Sequence, residues 1–307
     1  MLLLVPCTPL RYLMQSQYAR MDEYFLPKLL ERFVAFLNDQ GKSKFTVVAY
    51  KKDIEQFIGF LAGREKTDIR DVRKDDIEGF IQNLIEKKYT KKSASRKLNS
   101  IRTFFRFLKH EDIITANPAF DISHPKYTQT PPRILTKMEY RALRDVAKED
   151  KRTYALVETL LQTGIKIGEI AALERSDIKE DNLHIRKYGK NVERDVPLNN
   201  AARLSLEEYM KECGENANSA HVFITRTGNP LLIRNIRQII DRCFSEVGIE
   251  NATVNDLRNT FIAHQLRNGA TLEYISNIVG HRRISSTERF LNLVKQEAER
   301  KEKLGEL

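Results

Sequence analysis

The chain has 307 residues, 41% of them apolar and 31% charged, with a formal net charge of +10 and a pI near 9.4. That balance suits a globular chain of two domains with a core each, and it excludes a disordered or membrane-embedded polypeptide. The cationic excess points to a polyanionic partner, nucleic acid before an anionic membrane surface.

Residues 1–20 read as an N-terminal extension. Met1-Leu2-Leu3-Leu4-Val5 is too short for the apolar core of a signal peptide, and Pro6 and Pro9 break the next stretch. Patterned sequence begins just after Met21, which makes Met21 an alternative to Met1 as the translation start. No apolar run reaches the roughly 20 residues of a membrane span, so no membrane partner is expected. Cys7, Cys213 and Cys243 are scattered, with no paired spacing and no histidine cluster. This predicts reduced thiols, a cytoplasmic location, no metal and no cofactor.

Residues 21–121 carry a helical pattern throughout. Leu29, Leu30, Phe33, Phe36 and Leu37 recur at helical spacing, and Gly41 ends that helix. Ser43 and Thr46 introduce a second helix with Tyr50, Ile54, Phe57 and Leu61 on one face. A third covers Ile77, Phe80, Ile81, Leu84 and Ile85, and a fourth Leu98, Ile101, Phe104, Phe105 and Leu108, before Asn117-Pro118. Four amphipathic helices with short joints make a small bundle.

Between Lys87 and Lys109 the chain has nine basic residues and no Asp or Glu. Lys91, Lys92, Arg96, Lys97, Arg102 and Arg106 are the candidate phosphate contacts, because cations without competing carboxylates release condensed counterions from a duplex. Such contacts position DNA and carry no sequence information. A solvated basic helix face would have the same composition.

Residues 122–135 hold Pro125, Pro131 and Pro132 with little apolar content and read as a linker. Residues 136–307 form a mostly helical second domain. Its short β-like part, Leu183 to Arg186 and Val192 to Leu198, brackets Tyr188-Gly189-Lys190-Asn191 as a hairpin turn. Ser285-x-x-Glu288 reads as a capping box for the last helix.

Near the C-terminus stand Asn255-Asp256-Leu257-Arg258-Asn259, then Gly280-His281, then Phe290 nine residues on. This order and spacing resembles the signature of the tyrosine recombinases, the Xer and phage-integrase family. There an H-x-x-R-H box opens a helix, a Gly-His lies downstream, and a nucleophilic tyrosine stands nine residues beyond. The first domain resembles the family's core-binding domain, through Ser43-x-x-Thr46-x-x-x-Tyr50-x-x-Asp53-x-x-x-Phe57, Ser95-Arg96-x-Leu98 and Phe104-Phe105-x-Phe107-Leu108. The resemblance spans roughly Tyr24 to Leu293.

It implies a mainly α fold: a four-helix SAM-like core-binding domain, then a mostly helical catalytic-type domain with a small antiparallel sheet. It implies a double-stranded DNA partner, and self-association or a partner recombinase on that DNA. In the family a tyrosine attacks a phosphodiester to form a 3′-phosphotyrosine while cations stabilise the phosphoryl oxygens. Carried over by position, the site comprises Lys166, Lys190, Asn255, Arg258, His281 and Phe290.

Lys166, in Gly164-Ile165-Lys166-Ile167-Gly168-Glu169-Ile170, stands where the family has an arginine; it keeps the charge and loses the bidentate fork. Lys190 matches the hairpin lysine that protonates the leaving 5′ oxygen, with Lys187 as a rival. Asn255 replaces the box histidine and cannot transfer a proton in its place. Arg258 and His281 match. Phe290 stands at the nucleophile position without an oxygen, so the resemblance implies a degenerate catalytic site.

Overall fold

The computed structural model describes residues 23–128, 130–187, 192–213 and 219–302, with side chains at the C-terminal end through 294. The chain divides into two compact units between Gln129 and Thr130.

In the first unit Pro27 sits in the opening turn of α1 (Leu26–Asp39), where its missing N–H has no helical partner to lose. Gly41 then turns the chain at φ +63°. Ser43 caps α2 (Lys44–Ala62), its hydroxyl accepting from the Thr46 amide at 3.2 Å. After α3 (Lys74–Glu86), Thr90 caps α4 (Lys91–His110) in the same way through Ser93. α1 and α2 pack together and both rest on α4, as does α3. The apolar stripes meet in an aromatic core, with Phe33, Phe57, Phe80, Phe104 and Phe105 all buried. The Phe33 and Phe104 rings meet edge-on at 5.2 Å. This is the four-helix arrangement that the spacing predicts.

The second unit is mostly helical around one core: α5 (Lys137–Ala147), α6 (Lys151–Thr163), α7 (Ile167–Ala172), α8 (Asn200–Cys213), α9 (Ile233–Glu246), α10 (Val254–Arg267), α11 (Leu272–Val279) and α12 (Ser285–Glu302). The only sheet among the described residues pairs β1 (Asn182–Ile185) with β2 (Arg194–Pro197), antiparallel, Leu183 opposite Val196. α6 and α10 form the centre: Ala155, Leu156, Val157, Leu160, Leu257 and Ala263 are fully buried. Each is flanked by other helices, so neither can show the single apolar stripe of a surface helix.

Two glycines set the ends of the helices that matter for the site. Gly164 closes α6 at φ +62°, and a Cβ there would lie 2.3 Å from the Phe261 ring. Gly280 closes α11 at φ +65°, where a Cβ would lie 2.9 Å from Arg194 Cζ. Both positions need the left-handed backbone and both lack room for a side chain.

Candidate functional site

Arg258 lies in the first turns of α10 and is 8% exposed. Its guanidinium donates to the carbonyl of Gly164 at 2.5 Å and to that of Val279 at 2.7 Å. These are the C-terminal ends of α6 and α11, where orphan carbonyls and the negative ends of two helix dipoles suit a cation. Burial draws the Arg258 pKa down to about 10, with Arg194 and Arg289 adding to that and Glu169 opposing it.

Lys166 occupies the position before α7, and its Nζ donates to the Gly280 carbonyl at 3.3 Å. Its pKa is lowered, first by burial and then by Arg258 and Arg194, against the pull of Glu169. Glu169 is a fully buried carboxylate that accepts from the Lys166 amide at 2.9 Å and from both terminal nitrogens of Arg194, at 3.0 and 2.8 Å. Burial pushes its pKa up, and the Arg194 hydrogen bonds and charge outweigh that, so it stays ionised. Arg194 Nε also donates to the Ile278 carbonyl at 2.6 Å. One guanidinium thus joins β2, α7 and α11.

The sequence pattern assigns no role to Arg194, although it carries a signal. Arg194 lies two residues before buried Val196 on the same strand, and so on the inward face. A charge facing inward from a strand needs a buried partner.

His281 comes directly after Gly280, as the capping pattern predicts, and its Nδ1 meets the Thr287 hydroxyl at 2.8 Å. With Nδ1 engaged, Nε2 is the ring nitrogen left for a ligand. Burial lowers the His281 pKa to about 4, and the charges of Arg258, Lys166, Arg289 and Arg194 add to the shift. His281 is therefore neutral near pH 7 and lies within the field of four cations.

The expected capping box at Ser285 does not form. The helix begins at Ser285 itself, and the amide of Glu288 bonds the Ile284 carbonyl. Thr287 is fully buried with its hydroxyl toward His281, which gives it a role in holding the imidazole.

Phe290 is fully buried in the core of the unit, with the Arg289 guanidinium 5.1 Å above its ring. Tyr274, on α11, is 53% exposed. Asn255 is exposed at the start of α10, and Asn259 turns its amide to Asp256 at 3.0 Å. Lys190 falls outside the described residues; Lys187 is exposed. Among the described residues no group of three or more His, Cys, Asp or Glu side chains is placed to hold a metal ion.

In the first unit, Lys91, Lys92 and Arg106 are exposed. Lys97 points inward: it is 7% exposed and donates to buried Asp53 at 2.9 Å, alongside Arg96 and Ser100. Arg102 bonds the carbonyls of Ala119, Phe120 and Ile122 and the Nε2 of His124, which fastens the segment after α4 to that helix.

The profile of the phage integrase family matches residues 133–297, and that of the phage integrase N-terminal SAM-like domain matches residues 30–112. A tyrosine recombinase XerC of Roseiflexus castenholzii is 30% identical over 277 residues, covering 86% of this chain and 88% of the relative. In three dimensions the chain is similar to a lambda integrase dimer bound to a COC′ core site (TM-score 0.72, 18% identity, 90% of this chain and 80% of the other). It is equally similar to a lambda integrase tetramer bound to a Holliday junction (TM-score 0.72, 19% identity, 88% and 81%). At those identities the structural likeness speaks for the fold alone.

Proposed function

The chain belongs to the phage integrase family, the tyrosine recombinases, and from that premise we propose that it grips duplex DNA without cutting the strand by itself. The carrying observation is the composition of the site. Arg258, Lys166 and neutral His281 gather around one locus, and the side chain at the nucleophile position is the buried phenyl ring of Phe290. The cations and the imidazole suit a phosphodiester oxygen. A phenyl ring has no lone pair to attack phosphorus, so the bond that opens the strand does not form.

In this reading Lys166 holds charge at the phosphate as a point cation, weaker in orientation than a guanidinium fork. Arg258 fixes two helix ends and supplies charge. Lys190 supplies the leaving-group proton if a strand is opened by another nucleophile. Asn255 offers hydrogen bonds and no proton transfer. Lys91, Lys92 and Arg106 position the duplex through its phosphates, while Lys97 and Arg102 act within the protein. A cytoplasmic location goes with a DNA partner; among the described residues no helix is long and apolar enough to cross a membrane.

The same site favours a second reading: a chain that keeps phosphate-holding groups without the hydroxyl suits an accessory member of a larger assembly. Lambda integrase, of like fold, is found as a dimer and a tetramer on its DNA substrates. We place this chain in such an assembly, with copies of itself or with an active recombinase.

The test is covalent trapping on a nicked suicide duplex. The wild-type chain is expected to give no protein–DNA adduct, and an adduct that survives denaturation would overturn the proposal. Phe290→Tyr separates two histories. Trapping from that change alone means Lys166 and Asn255 are tolerated, and silence means the site has drifted as a whole.

A further inference from the structure

We propose that Arg289 supplies the guanidinium fork with which this site grips a backbone phosphate, in place of the fork that Lys166 lacks. The inference rests on the DNA-binding reading and adds a phosphate contact that the family pattern does not contain. Arg289 stands on α12 between Glu288 and Phe290, one residue before the nucleophile position. It is exposed, whereas Thr287 and Phe290 on the same helix are fully buried.

The other cations around His281 are engaged within the protein. Arg258 points one terminal nitrogen at the Gly164 carbonyl and the other at that of Val279. Arg194 gives both terminal nitrogens to Glu169 and its Nε to the Ile278 carbonyl. Lys166 donates to the Gly280 carbonyl and has no fork to offer. Arg289 differs from all three. Its guanidinium lies 5.1 Å above the Phe290 ring, and it forms no hydrogen bond or ion pair among the described residues. An aromatic face holds a cation from one side and leaves the in-plane N–H groups free to donate.

α12 packs on α10, and Thr287, two residues before Arg289, reaches His281 at 2.8 Å. The charge of Arg289 acts on both Arg258 and His281 and lowers the pKa of each. Arg282 and Arg283 follow His281 directly in sequence, yet the cations that act on Arg258 are Arg194 and Arg289. Like charges gathered without a free anion repel, and the buried carboxylate among them, Glu169, is taken by Arg194. The two non-bridging oxygens of a phosphodiester answer both the charge and the fork.

The experiment uses the full-length chain on a duplex recovered from a randomised pool by binding. Each backbone phosphate is replaced singly by an uncharged methylphosphonate, and affinity is measured for the wild type, Lys166→Gln, Arg289→Gln and Arg289→Lys. The phosphate whose neutralisation weakens the wild type and no longer matters in Lys166→Gln marks the site. There the wild type should lose about tenfold, and Arg289→Gln should be insensitive while it keeps its response at other phosphates. Arg289→Lys should fall short of the wild type, because a point charge does not replace a fork. The NMR titration of His281 should move to higher pH in Arg289→Gln, since one neighbouring cation is gone. Arg289 is exposed, so the urea midpoint should hold.

Undiminished sensitivity at that phosphate in Arg289→Gln overturns the inference while DNA binding stands. Full recovery by Arg289→Lys also overturns it and leaves a bare charge in place of a fork. A His281 titration that does not move, or a duplex with no phosphate marked by Lys166→Gln, overturns it as well. A chain that binds no duplex at any salt refutes the DNA-binding reading itself, and this inference with it.

Discussion

His281 offers a quantitative test of the site because its environment acts on one proton. Its ordinary pKa of 6.5 falls to about 4 in the folded chain, through burial and then the cations Arg258, Lys166, Arg289 and Arg194. The unfolded chain therefore takes up the proton first as the pH falls. The stability tied to neutral His281 is complete above pH 6.5, declines from there toward pH 4, and changes no further below it. A displacement of about 2.5 pH units corresponds to at most about 3 kcal/mol, and solvent screening at the partly exposed ring reduces this.

The measurement is an NMR titration of the histidine Hε1 signals, with His281 assigned by its absence in His281→Gln. Urea unfolding of both proteins from about pH 4 to 7.5 should show the wild type losing more stability on acidification. His124 also titrates below its ordinary value, through burial and the neighbouring Arg102, and serves as an internal comparison. If the site takes a phosphodiester, the added anion favours imidazolium, so duplex DNA should raise the His281 pKa and bind with proton uptake between about pH 4 and 6.5. A titration of His281 near 6.5 in the free protein would refute the electrostatic account of the site.

The same geometry sets three further outcomes. Glu169→Gln should destabilise the second unit by about 3–5 kcal/mol, because the Arg194 guanidinium loses its buried countercharge; adding Arg194→Met should recover much of this in urea titrations. Gly164→Ala should cost about 2–5 kcal/mol, from left-handed strain and a Cβ driven into the Phe261 ring, seen as a lower urea midpoint. Lys91→Gln, Lys92→Gln and Arg106→Gln should each lower the logarithmic salt slope of duplex binding by about 0.9, whereas Lys97→Met should leave it unchanged.

The features legible in the sequence are those that repeat locally. The four helices of the first unit come from apolar spacing and caps, and the two strands from β-rich runs. The pairings that join distant segments leave fainter traces. Arg194 and Glu169 lie 25 residues apart on different elements, so neither announces the other.

Lys97 is more instructive. The basic run reads as one outward face, but Lys97 stands at the same helical register as Ile101, Phe104 and Leu108, all buried. Asp53, on α2, likewise lies beside Ile54 and four residues before Phe57. Opposite charges that each sit on an apolar stripe, in helices that pack together, are a pair waiting to be matched. The pattern is present, and composition alone conceals it.

The departures from the family pattern are unequal in physical kind. Phe290 fills its place in the core, and relative to tyrosine it lacks one oxygen. Lys166 retains a positive charge that reaches the Gly280 carbonyl and gives up only the geometry of a fork. Asn255 is exposed and supports neither core nor cation cluster. On the proposed reading each change leaves in place what folds the unit and gathers charge, and removes a group that would bond to phosphorus, grip two oxygens at once, or move a proton. Glu169, Arg194, Gly164 and Gly280, whose replacement would break the frame, are all in place. On the reading proposed above, such a frame with Phe290 at the tyrosine position suits a DNA-holding role.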